Sequence, residues 1–225
     1  SRRLPGRQPG PVGKKQLTEH PVVLFFKTSK SDTSVSQWEK SLHAGKITAM
    51  DTANAKAELR KRHADARPLS SAGLTDQLKN LVGSLGPKVI ASYVPLKSEP
   101  DTGDFNQSGG ARLKIVFPRV VGSDLEFATG DLSTAGLGIS EPDGEAIAMS
   151  EIDVFLVPAL AVDISGNRLG KGKGFYDRCL KQVTNAKVIA VVFDQEVLEK
   201  VPYEEFDQRV DGILTPSRWW LIESR

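Results

Sequence analysis

The chain has 225 residues, enough for one sizeable α/β domain with a tail or insertion. Its 30 basic and 28 acidic residues nearly balance, so no general polyanion-binding surface is implied and no nucleic-acid partner is expected. The single cysteine, Cys179, excludes an internal disulfide framework and suits a reducing cytosol, and no apolar run approaches the roughly 20 residues of a membrane span. The three histidines, His20, His43 and His63, lie too far apart in sequence for metal-ligand spacing.

Residues 1–50 read differently from the rest. "SRRLPGRQPGPVGKK" is rich in Pro, Gly and basic residues and cannot bury a core. Met50 fits a natural start, which would make the segment before it either a leader or an added extension. Its basic, acid-poor composition loosely matches an organelle transit peptide. A single domain is expected over residues 51–225.

From Asp51 the pattern becomes regular. "DTANAKAELRKRHADAR" has a cap-like start and many helix formers, and it ends at Arg67 before Pro68. A second helix begins near Ser70 or Ser71, with Leu74, Leu78, Leu81 and Leu85 at helical spacing. Short apolar runs follow at residues 89–94, 113–117, 153–158, 188–193 and 212–215. Several are apolar on both faces, as buried parallel strands are. "FYDRCLKQV", from Phe175, reads as a helix. Strand, loop, helix and strand in this order predict an α/β fold with a mostly parallel sheet.

The least ordinary stretch is "NRLGKGKGFYDR", residues 167–178, between a predicted strand and a predicted helix. Ligands of α/β sheets bind outside the carboxyl ends of the strands. Gly170, Gly172 and Gly174 would let the backbone turn tightly and bring amide N–H groups close to an anion, and the following helix start would add positive potential. Arg168, Lys171 and Lys173 supply full charges, so the stretch reads as a phosphate cradle, and Asp177 could hold a magnesium ion bridging phosphate oxygens. It is not a P-loop, because no Ser or Thr follows the lysine. The dinucleotide fingerprint fails because Phe175 stands where its last glycine belongs. Lys56 and Arg60 lie four apart on one helix face, which by itself reads as a solvated basic face. Glu99 and Asp101 sit in "EPDTGD", by itself an acidic turn. Cys179 reads as a packing residue.

Taken in order, "KAELR", "YVPLKSEPDT", "VFPRV", "DVFLVPALAVDISGNRLGKGKGFYDR" and "VPYEEFDQRVDGILTP" resemble the 5-formyltetrahydrofolate cyclo-ligase family, also called 5,10-methenyltetrahydrofolate synthetase, over roughly residues 52–220. The glycine loop with its aromatic-Tyr-Asp ending is the most specific part. The resemblance implies a Rossmann-like three-layer α/β/α sandwich with a mostly parallel sheet. It implies a cytoplasmic, monomeric enzyme that uses ATP and magnesium to convert 5-formyltetrahydrofolate to 5,10-methenyltetrahydrofolate, releasing ADP and phosphate.

The site follows from the same resemblance. Lys56 and Arg60 would contact ATP phosphates. Arg168, Leu169, Gly170, Lys171, Gly172, Lys173, Gly174, Phe175 and Tyr176 would wrap the nucleotide, with Lys173, Arg168 and Tyr176 the catalytic groups. Val94, Glu99 and Phe175 match substrate-contacting positions, and Asp177 and Asp207 match magnesium ligands. Two departures stand out. Lys173 replaces a glycine that many members carry, and "GDFNQSGGAR", residues 103–112, is short where members usually have a longer helix.

The implied chemistry suits these residue types. Moving a phosphoryl group onto a formamide oxygen makes that oxygen a leaving group, and the substrate's own N10 then closes the ring. Positioning and charge neutralisation carry such a step, and no protein nucleophile is needed. Two alternatives remain at this stage. One is a diverged member acting on another substrate; the other is a nucleic-acid-binding module using the basic glycine loop.

Overall fold

The computed structural model describes residues 49–65, 67, 68, 70–134 and 140–223. The expected leader lies outside the described residues, apart from its last two positions.

Helix α1 (Ala49–Asp65) carries Asp51 in its first turn and Arg62 and His63 in its last, charges that complement the helix dipole. Helix α2 (Leu74–Leu85) buries Leu74, Leu78 and Leu81 on one face, and Gly86, at φ 63°, ends it in the left-handed conformation. Then follow β1 (Val89–Ala91), the short α3 (Gly103–Asn106), β2 (Lys114–Val121), β3 (Asp124–Ala128), β4 (Leu132–Thr134), β5 (Ser140–Pro142) and β6 (Ala146–Ile147). The second half holds β7 (Val154–Pro158), β8 (Ala161–Asp163), β9 (Arg168–Leu169), α4 (Phe175–Leu180), β10 (Lys187–Val191), β11 (Val197–Leu198), β12 (Gly212–Leu214) and β13 (Trp219–Leu221).

The main sheet is eight-stranded, in the order β13-β12-β10-β7-β1-β2-β3-β6. Its centre, β12-β10-β7-β1-β2, is parallel, and β13, β3 and β6 add antiparallel edges. The two faces of each central strand feed separate cores. Phe155, Val157, Val188 and Ala190 pack with Cys179 and Leu180 of α4. Val154, Leu156, Ile189 and Val191 pack with Leu74, Leu78 and Leu81 of α2 and with Phe105 of α3. This double burial is why β7 reads as an unbroken apolar run, and it yields the expected helix–sheet–helix layering.

Helix α1 departs from that layering. Leu59 packs with Leu160, Ala161, Leu169 and Val201, on a small separate sheet of order β11-β8-β9. Its apolar stripe is only a few residues wide because the polar half of the inward face, Lys56 and Arg60, is turned toward the loops described below.

Several predicted boundaries move. The strand expected over 89–94 stops at Ala91, and the helix expected from Phe175 stops at Leu180. The strand expected over 113–117 runs on to Val121, through Pro118. Strand β1 pairs only with residues 114–116 of β2, whereas β3 pairs with Phe117 through Val121. Pro118 therefore has a neighbouring strand on one side only, where a missing N–H is tolerated.

Candidate functional site

Strand β1 lies between β2 and β7, so the connections leaving β1 and β7 at their carboxyl ends diverge. A cavity of about 240 Å³ opens there. One wall is apolar, with Pro118, Val120 and Leu125 from the β2–β3 hairpin. The opposite wall is the glycine loop and the start of α4, from Gly170 to Asp177; Val94 and Glu99, beyond β1, close a third side.

The glycine loop needs its glycines for stated reasons. Gly172 has φ 91°, and a Cβ there would stand 3.4 Å from the Arg60 guanidinium. Gly174 has φ 68°, and a Cβ there would meet Arg178 Nη1 at 2.8 Å. A side chain at either position would strain the backbone, and at Gly174 it would also displace the Arg178 guanidinium. Arg60 ties α1 to the loop directly, its Nε donating to the Gly170 carbonyl at 2.9 Å. The α4 helix has six residues, too short for a strong dipole. The full positive charges on this wall are those of Arg168, Lys171 and Lys173.

Side chains on the loop make specific pairs. Buried Arg168 donates from Nη2 to Asp177 Oδ1 at 2.6 Å, its guanidinium lies over the Tyr176 ring, and its Nε is buried without a hydrogen-bond partner. Lys171 Nζ bonds Glu99 Oε1 at 2.6 Å, joining the glycine loop to the loop after β1 across the cavity. Lys173 lines the cavity, and its ammonium makes no ion pair among the described residues. Burial, reinforced by the Glu99 charge, raises the Tyr176 phenol well above its ordinary value, so it keeps its proton at neutral pH. Burial pushes the Cys179 thiol up to about 12, consistent with packing and not with nucleophilic chemistry.

The loop after β1 is held as firmly. Tyr93 donates to the Pro100 carbonyl at 2.7 Å, and the Tyr93 carbonyl accepts from Thr102 Oγ1 at 3.0 Å and Asn106 Nδ2 at 2.9 Å. The Leu96 amide donates to Glu99 Oε2 at 3.0 Å. The "EPDT" residues thus build a closed turn that presents Glu99 to the cavity.

A second cluster is linked to the loop through Asp177. Lys56, buried, bonds Glu204 Oε2 at 2.6 Å and Asp207 Oδ2 at 2.5 Å. Asp207 Oδ2 also accepts from the Glu204 amide at 2.7 Å, closing a turn over residues 204–207. The Gln208 amide, next in the chain, bonds Asp177 Oδ1 at 3.4 Å. Asp177 and Asp207, thirty residues apart in sequence, are therefore brought together.

The fit to magnesium can be tested on these bonds. Those to Asp177 fall on Oδ1 and those to Asp207 on Oδ2, so among the described residues each carboxylate keeps its other oxygen outside this network. No group of three or more His, Cys, Asp or Glu able to hold a metal ion occurs among the described residues. Two half-engaged carboxylates suit magnesium, which takes one or two carboxylates and completes its shell with phosphate oxygens and water.

The positions expected from sequence thus divide. Val94, Glu99, Arg168, Gly170, Lys171, Gly172, Lys173, Gly174, Phe175, Tyr176 and Asp177 line the cavity. Lys56, Arg60 and Asp207 do not line it: Arg60 is bonded to Gly170, and Lys56 and Asp207 form the cluster that meets Asp177 through Gln208. Leu169 is corrected: its side chain is 1% exposed and packs with Leu59, so only its backbone can face a ligand. Sequence reasoning missed Glu204, the second carboxylate on Lys56, although "YEEFD" offered it. It also missed Pro118, Val120 and Leu125, for which no local pattern announced a cavity wall.

Comparison with known proteins places this geometry. The profile of the 5-formyltetrahydrofolate cyclo-ligase family matches residues 46–216. A 5-formyltetrahydrofolate cyclo-ligase of Mycolicibacterium smegmatis is 41% identical over 145 residues, covering 58% of this chain and 75% of the relative. The Escherichia coli protein of that name is 37% identical over 78 residues, covering 34% of this chain and 43% of the relative. The solved structure of Aquifex aeolicus 5,10-methenyltetrahydrofolate synthetase is similar with a TM-score of 0.65 and 25% identity, covering 77% of this chain and 94% of that one.

Proposed function

Because the chain belongs to the 5-formyltetrahydrofolate cyclo-ligase family, we propose that it is the enzyme converting 5-formyltetrahydrofolate to 5,10-methenyltetrahydrofolate at the expense of ATP, with magnesium. The observation that carries this reading is a cavity with one apolar wall and one wall of glycines and lysines, at the point where strand order reverses. The apolar wall of Pro118, Val120 and Leu125 suits a flat aromatic acceptor. The glycine wall suits a triphosphate.

Each residue then has a task. Lys56 has three N–H groups, two of them given to Glu204 and Asp207, leaving one for a phosphate oxygen. Arg60, its Nε fixed on Gly170, holds its guanidinium beside Gly172 for the same purpose. Lys173 sits where negative charge is redistributed as a γ-phosphoryl group moves onto the formyl oxygen. Glu99 orients the acceptor. Magnesium, when bound at Asp177 and Asp207, would supply charge neutralisation at the phosphates. Once phosphorylated, the formyl oxygen is a leaving group: the substrate N10 attacks the formyl carbon, loses its proton, and phosphate departs as the ring closes. Tyr176, neutral and packed beneath Arg168, holds the guanidinium in place and takes no proton.

The test is direct. Enzyme, ATP, magnesium and 5-formyltetrahydrofolate are mixed, and the methenyl-folate absorbance band is followed together with ADP release. Growth of the band in step with ADP supports the reading. ADP release without the band would mean another acceptor, and no change in either would reject it.

A further inference from the structure

The turn over residues 204–207 presents an aromatic ring that the chemistry above leaves unused. Phe206 is 57% exposed in a closed turn: the Asp207 amide donates to the Glu204 carbonyl at 3.0 Å, and Lys56 clamps the Glu204 and Asp207 carboxylates. The Lys56 ammonium lies over the ring, 5.5 Å from its centroid. Tyr203, 54% exposed, stands just before the turn with the Arg209 guanidinium over its ring, and Arg209 is in turn anchored on Asn167.

We propose that Phe206 is the stacking residue for the nucleotide base. This rests on the reading that a nucleoside triphosphate lies along the glycine loop. The direction of the nucleotide follows from which cations line the cavity and which do not. The transferable phosphate must face the acceptor cavity, where Lys171 and Lys173 line the wall. Lys56, Arg60 and Asp207 do not line that cavity, so the rest of the molecule extends toward them; Phe206 is next to Asp207, and its ring lies 5.5 Å from the Lys56 ammonium. A ring held by a closed turn, with a cation on it and an open surface, is a stacking platform for a planar base. Stacking of this kind is sequence-tolerant, so purine and pyrimidine nucleotides should both gain from it, the larger purine more.

Binding to the full chain, with magnesium, is measured by calorimetry for ADP and for inorganic tripolyphosphate, which has no base. Phe206→Ala and Phe206→Leu should each weaken ADP about 10- to 100-fold, the range of one lost base stack, and leave tripolyphosphate within about twofold. Phe206→Trp should keep ADP affinity, and its added fluorescence over wild type should be quenched by ADP and not by tripolyphosphate. The exposed position makes misfolding an easily excluded cause, through an unchanged melting temperature. Equal losses for both ligands would overturn the proposal, because the residue would then shape the phosphate site. So would unchanged ADP binding in Phe206→Ala, or in Phe206→Leu, where apolar bulk without a ring would suffice. If wild type binds both ligands and the substitutions are silent, only the stacking assignment falls. If wild type binds neither, the nucleotide reading falls and takes this one with it.

Discussion

Two sets of cation–carboxylate pairs, each with one cation from α1 or from just after it, are built to opposite ends. At the helix's carboxyl end, Arg67 meets Glu196 through Nε at 2.6 Å and Nη2 at 2.9 Å, donates to the Ala159 carbonyl at 2.6 Å, and lies over the Phe193 ring. The side chains are 3% and 1% exposed, and Glu196 also caps the Phe193 amide. Toward the middle of the helix, Lys56 shares two carboxylates that are 25% and 14% exposed, and nearby Arg168, on β9, meets the Asp177 carboxylate, which is 25% exposed. The first set joins the ends of β7 and β10 and is sealed from solvent. In the second, buried cations face half-open anions, so a ligand can enter. A sealed pair fixes structure; a half-open pair keeps charge within reach of solvent, as the proposed phosphate site requires.

This contrast can be broken experimentally. The largest effect is expected at the sealed pair. Arg67→Met leaves the Glu196 carboxylate buried without its cation, and should cost about 3–5 kcal/mol of stability. Chemical denaturation measures this, and the rate per folded molecule should change little. A loss of turnover without a loss of stability would place Arg67 in the site instead.

Next comes Lys173, which belongs to neither set and lines the cavity. Lys173→Ala should lower turnover about 10- to 1000-fold, the range of one lost electrostatic contact in a transition state, with the melting temperature unmoved. An unchanged rate would mean that backbone amides alone form the cradle.

The half-open pairs give a smaller, more particular effect. Asp177→Asn and Asp207→Asn should each raise the magnesium concentration for half-maximal rate. The double variant should lose much less than the product of the two, because both act on one ion. Fully multiplicative losses at an unchanged magnesium requirement would separate the two aspartates.

The smallest effect is a slope with pH. Burial, only partly offset by Arg67, raises the Glu196 carboxyl above its ordinary value. Between the ordinary value and the raised one, the native state holds a proton that the unfolded chain has released. This residue therefore makes stability fall as pH rises through that window. Glu196→Gln should flatten that part of the curve when denaturation midpoints are compared across pH. An unaltered slope would assign it to another group.

Much of this was written in local sequence. The unbroken run Val154–Val157 announces a strand covered on both faces, and α2 is spelled out by Leu74, Leu78 and Leu81. The glycine loop could be read because its signal is dense: backbone freedom, charge and an aromatic ending within a few residues. The sealed pair was not readable, since Arg67 and Glu196 are 129 residues apart and neither sits in a periodic pattern. Glu196 looks like any acid in a polar turn. The short antiparallel edges were missed for a related reason. Trp219 and Trp220 form a strand because β12 offers an edge to pair with, a condition imposed by tertiary structure and absent from propensity. The cavity's apolar wall arises only when the β2–β3 hairpin folds over, so its residues carry no mark beforehand.

The bond between Lys171 and Glu99 has a thermodynamic consequence. It is one link shared by two walls, so neither wall can take a ligand through these groups without changing what the other offers. An anion that draws Lys171 away uncovers the Glu99 carboxylate for a hydrogen-bond donor on the acceptor. A donor that draws Glu99 away uncovers the ammonium for an anion. Each ligand thereby relieves the other of the work of opening the bond, and linkage requires the two gains to be equal. The affinity for either ligand, measured with and without its companion, should rise by one common factor, and Lys171→Met should reduce that factor toward unity.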